Sequence, residues 1–89
     1  MNADDQIHQR LRLLELLNEA AVHRHELVDV LAQSQDAASA RRLVSELLNA
    51  SDEEARVVLQ ATMYRLVGIE YVSAREAEIN ALRRDANEA

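Results

Sequence analysis

His23 and His25 are the residues whose types most readily suggest chemistry, as a pair of imidazoles that could hold a metal ion. A spacing of two on a helix separates side chains by about 200°, so one chain cannot close both on one ion. His25 and Asp29 do share a face at i,i+4, and a symmetric pair of chains could bring two copies together. Surface or interface histidine is the better reading. Glu15, Glu19, Glu26, Asp29 and Glu46 could be arranged as an acidic cluster inside a bundle, but the Glu-x-x-His spacing that marks a di-metal carboxylate site is missing. Arg41-Arg42 and Arg83-Arg84 could touch phosphate or an acidic partner, yet no aromatic or glycine-rich stretch flanks them. Ser34, Ser39, Ser45, Ser51 and Ser73 stand in no nucleophile motif with a histidine. The expectation is a protein with no catalytic residues, no cofactor and no metal.

Composition says what must position these residues. The chain has 89 residues and no cysteine, so disulfides and thiolate metal sites are excluded, and so small a domain leaves much apolar surface open unless a further copy covers it. The apolar fraction is 48%, drawn almost wholly from Leu, Val and Ala, with Tyr64 and Tyr71 the only aromatic residues. Proline is absent and Gly68 is the single glycine, which permits long helices. A net charge of −6 argues against gripping nucleic acid through phosphate neutralisation. All ten basic residues are Arg, which removes lysine-dependent catalysis. The first residues carry acids and no apolar block, and no apolar run approaches the roughly 20 residues that span a bilayer, so a cytoplasmic protein without a membrane partner is expected.

Hydrophobic periodicity predicts one uninterrupted helix over about residues 3–33, with Ile7, Leu11, Leu14, Leu17, Ala21, Val28 and Leu31 on a stripe that Leu13, Ala20, Leu27 and Val30 widen. The stripe weakens around Asn18 and Arg24. Asp36 is the preferred N-cap of a second helix, which places Ala40, Leu43, Val44, Leu47 and Leu48 on one face and ends at Asn49. Ser51 and Glu54 have the form of a capping box opening a third helix over about 52–67. On that helix Ala55, Val58, Leu59, Thr62 and Leu66 share one side, and Val57, Ala61 and Tyr64 lie roughly opposite, stranded in water unless a second molecule or the first helix covers them. Gly68 is expected to close it in a left-handed conformation. After a turn, Ser73 and Glu76 suggest a second capping box, leading into a last helix with Val72, Ala77, Ile79 and Leu82 that ends near Arg84. The domain is thus residues 3–84, with 85–89 frayed.

The segment 51–70 resembles the exit-gate dimerisation region, the coiled-coil tip, of the A-type, DNA-cleaving subunit of bacterial DNA gyrase and topoisomerase IV. Ser51, Ala55, Leu59, Arg65, Leu66, Gly68 and Glu70 match that family's pattern by identity, and Val58, Met63 and Ile69 match it conservatively. Upstream, Leu13-Leu14-Glu15, Leu27-Val28, Leu31, Asp36, Ala40 and Leu43 extend the similarity to about residues 10–82. Arg56, Gln60 and Thr62 depart from it, standing where the family usually has Gln, Asp and Arg. The resemblance implies a dimeric tip, and with the periodicity above the expected fold is an all-α homodimer of about four helices, the long first helix packing with the last and two shorter helices between. It also implies that Tyr64 and Tyr71 lie in a gate tip and are not DNA-cleaving nucleophiles. The expected function is a non-catalytic self-association module that could modulate gyrase by pairing with a topoisomerase subunit, its interface candidates being Val57, Ala61 and Tyr64 with Leu17, Ala21 and Val28. Two rivals remain open: a small helical enzyme of chorismate mutase type, disfavoured by the lack of lysine, and a dimeric DNA-binding regulator, disfavoured by the negative charge.

Overall fold

The computed structural model describes residues 3–88, and its regular structure is wholly helical, in six helices. They are α1 (Ala3–Val22), α2 (Arg24–Gln33), α3 (Ala37–Leu48), α4 (Asp52–Gln60), α5 (Met63–Val67) and α6 (Ile69–Glu88). The first helix packs along the last, as expected, while α2, α3 and α4 pack in succession against one another. Leu16, Ala20, Leu27, Val44, Ala55, Val58 and Leu66 form the buried centre where these layers meet.

Local chemistry accounts for the middle elements. The Asp36 carboxylate accepts from the Ser39 amide at 2.8 Å, and the Ser39 hydroxyl accepts from the Asp36 amide at 3.2 Å. Asn49 ends α3 at φ 51°, the left-handed region that asparagine tolerates better than most side chains. The Ser51 capping box forms in full, with Glu54 N donating to Ser51 Oγ at 3.1 Å and Ser51 N donating to Glu54 Oε1 at 2.9 Å.

Elsewhere the structure corrects the expectation of about four helices. The long first helix is interrupted at His23, whose φ of −95° and ψ of 28° leave the helical region. Arg24 Nη1 donates to the Ala21 carbonyl at 3.1 Å, while the His23 ring is held against Glu26 at 2.5 Å. The Arg24 side chain thus satisfies a carbonyl at the end of α1 where the apolar stripe is weakest, and beyond the break α2 follows α3 while α1 follows α6.

The third predicted helix divides likewise. Ala61 and Thr62 are extended, and the Thr62 hydroxyl caps α5 by accepting from the Arg65 amide at 3.2 Å. Thr62 is therefore exposed rather than core-facing, because its side chain offers the backbone an alternative to the helix. Leu66 still reaches the core.

Gly68 is not left-handed: it sits at φ −61° and ψ 133°. Its requirement is space. A β-carbon there would stand 2.6 Å from the Tyr64 carbonyl oxygen and closer still to the Tyr64 ring. No separate turn follows, since the Gly68 carbonyl accepts from Val72 N at 2.9 Å and α6 begins at Ile69. Ser73 consequently lies inside α6 and caps nothing, Ala77 is exposed rather than apolar-facing, and the helix continues past Arg84 to Glu88.

The molecule is elongated, with principal extents of 45 × 30 × 16 Å and a radius of gyration of 14.0 Å, against about 12 Å for a compact domain of this length. Its accessible surface is 5980 Å², whereas a compact 10.0 kDa monomer exposes about 5,200 Å².

Candidate functional site

The break at Ala61 opens a groove between α1, the α4–α5 junction and α6, with a volume of about 480 Å³. Leu17, Val57 and Ala61, three of the six interface candidates, line it together with Leu14, Leu66 and Ala74. Tyr64 stands beside the groove, 61% exposed, with its ring edge-on to Tyr71 at 5.4 Å between centroids. Tyr71 is part of the groove wall. The Tyr64 hydroxyl donates to the Glu70 carboxylate, which raises the phenol's pKa.

The other two candidates are placed elsewhere. Ala21 lines a separate hollow with Val22, Val67 and Val72, and Val28 is exposed on α2. The six residues thus do not form one surface. Ile69, 84% exposed at the start of α6, and Met63, exposed on α5, are better placed neighbours of Tyr64 in sequence than either. The sequence conceals their exposure, because Gly68 reads as the start of a turn when it is a direct junction between helices.

Four arginines stand in ion pairs. Arg10 binds Glu78 through Nε at 2.8 Å and Nη2 at 3.1 Å, Arg83 binds Glu15 at 2.8 Å, and Arg41 reaches Asp52 at 3.2 Å. His23 lies between Glu26 and Glu19, the latter at 3.6 Å, and does not join His25. Glu46, Arg42 and Arg84 are exposed. Among the described residues no group of three His, Asp or Glu side chains is arranged to hold a metal ion. Such exposed pairs contribute about 0–1 kcal/mol each.

One pair has a measurable pH signature. The Arg12 guanidinium, at 2.8 Å, and then the Ser51 amide hold the Glu54 carboxyl at a pKa of about 2, below its ordinary 4.5. A depressed carboxylate pKa stabilises the fold above the unfolded value and ceases to do so as pH falls through the folded one. Glu54→Gln, which keeps an acceptor for the cap, is therefore expected to be less stable than the parent by about 1 kcal/mol at pH 7, the pair being partly solvent-screened. That gap should close between pH 4.5 and 2 in urea titrations; a gap independent of pH counts against it.

The residue that sequence reasoning misses is Arg75, 8% exposed. Its Nε donates to Asn18 Oδ1 at 2.8 Å, Nη1 to the Arg65 carbonyl at 2.6 Å and Nη2 to the Leu66 carbonyl at 2.6 Å. One side chain thereby ties the C-terminal end of α5 to α1 and α6. Burial lowers its pKa, with the Glu76 charge opposing. A signal for it does exist: Val72, Arg75, Ile79 and Leu82 follow one another at steps of three and four, so Arg75 lies in the apolar stripe of α6.

The class these features define is an all-helical domain with a groove at a broken-helix junction. No known protein family, curated protein or solved structure matches this chain.

Proposed function

We propose that this chain is a non-catalytic helical self-association module, in which two copies meet through the 57–69 segment. Val57, Ala61 and Tyr64 form the contact with Met63 and Ile69. The observation that carries this reading is the run of large apolar side chains left in water there: Val57 at 40%, Met63 at 44%, Tyr64 at 61% and Ile69 at 84% exposure. Scattered surface apolar residues are ordinary, but four within thirteen positions, spread over the α4–α5 and α5–α6 junctions, are a local concentration of the kind that supports an interface. The surplus surface of the elongated chain supports the same reading, since it approaches the roughly 800 Å² that each partner contributes to a standard interface.

The similarity of residues 51–70 to the topoisomerase exit gate supports a further partner for the same patch, the DNA-cleaving chain of a topoisomerase. Sedimentation at micromolar concentration is expected to give twice the 10.0 kDa chain mass. Tyr64→Asp combined with Ile69→Asp should return the monomer mass with helical content intact. A parent chain that sediments only as a monomer overturns the proposal. Recovery of a topoisomerase with the immobilised chain, lost in the double variant, tests the second partner.

A further inference from the structure

We infer that the groove between α1, the α4–α5 junction and α6 binds a small amphipathic carboxylate, its apolar body against Leu14, Leu17, Val57 and Leu66 and its head group at Arg65. The inference goes beyond self-association and does not depend on it.

Charge is the first reason. Three arginines line the groove, Arg10, Arg65 and Arg75, against one acid, Glu78, in a chain whose net charge is −6. The Glu78 carboxylate is already occupied by Arg10 in a two-bond pair. Among the described residues no carboxylate lies within ion-pair distance of Arg65 or Arg75. Arg75 is held instead by two carbonyls and an amide oxygen, which use three of its five N–H donors and leave its positive charge in place. Glu76 acts on it only at longer range.

Geometry is the second reason. The Arg65 guanidinium lies over the Tyr71 ring, 5.5 Å from its centroid, so a cation already rests on the groove wall. A volume of about 480 Å³ falls within the roughly 300–1,000 Å³ of small-molecule sites, which combine mostly apolar walls with a few polar groups. Arg65 is exposed, so its guanidinium is open to a carboxylate, which it can meet with charge-assisted hydrogen bonds. An uncharged hydrocarbon would leave that cationic wall unanswered, and an organic cation would be repelled by it.

The probe is sodium decanoate below its micelle concentration, titrated calorimetrically into the full chain, with decyltrimethylammonium as the cationic counterpart. Saturable binding of decanoate alone is expected. Arg65→Gln should weaken it by about fivefold, the scale of a partly exposed ion pair. Ala74→Glu, which adds a carboxylate to the groove wall on a helix-favouring residue, should abolish it, and Arg84→Gln, away from the groove, should leave it unchanged. Far-ultraviolet circular dichroism confirms that each variant is folded. Absence of decanoate binding, equal binding of the cationic detergent or unchanged affinity in a folded Arg65→Gln overturns the inference. Val57 and Ala61 belong to both surfaces, so the two proposals are separated by state: a parent monomer that binds decanoate overturns self-association alone, and a folded Tyr64→Asp, Ile69→Asp monomer that ignores decanoate overturns the groove site alone.

Discussion

Arg75→Leu is expected to lower the unfolding free energy by about 3 kcal/mol, the largest effect of any single polar substitution in this chain. Three acceptors lose their donor together: the carbonyls of Arg65 and Leu66 and Oδ1 of Asn18. Each unmade bond in such a setting costs about 1–3 kcal/mol, and the lower value applies where water can enter from the groove. A domain of this length has a total stability of about 4–13 kcal/mol, so the loss is a large fraction of the whole. The melting temperature should fall by about 12–24 °C. Arg75→Lys offers one compact ammonium to three separated acceptors and should recover about half the loss. Urea denaturation supplies the free energies, and faster amide exchange in α5 than in α3 would locate the effect. A loss below about 1 kcal/mol would mean that the carbonyls find other donors.

Leu16→Ala should cost as much, about 3 kcal/mol, and the informative comparison is with its neighbour. Leu16 is fully buried at 0% exposure in the central cluster, so truncation removes apolar contact on every side and leaves a cavity. Leu17, half-buried on the groove wall, faces space that water already reaches, and Leu17→Ala should cost about 1 kcal/mol. Equal losses from the two substitutions would place the core on the wrong side of α1. The contrast matters for function as well, because Leu17→Ala alters the groove while sparing the fold.

Leu16 also shows how far a one-dimensional stripe can be trusted. The repeat Leu14, Leu17, Ala21 and Val28 is genuine, but Leu14 is its only member among these that becomes fully buried. The deepest positions are Leu16, Ala20 and Leu27, towards one edge of the broad apolar band. Periodicity gives the width of the band. Where its centre falls depends on which helices pack against it, and that is a long-range choice.

Signals confined to one turn of helix were legible from the chain alone: the caps at Asp36 and Ser51, the helix end at Asn49, and the division of α4 into a buried side with Ala55 and Val58 and an exposed side with Val57. Each depends on side chains within four residues of one another, and their hydrogen bonds and facing directions follow from local geometry. The breaks at His23 and Ala61, the space Gly68 must leave for Tyr64, the burial of Arg75 and the meeting of Leu17 with Val57 were decided by the tertiary structure. The cap that Thr62 gives α5 is a local signal, but whether it replaces a continuous helix, and which side chains the separated helices then bury, depends on segments far apart in the chain.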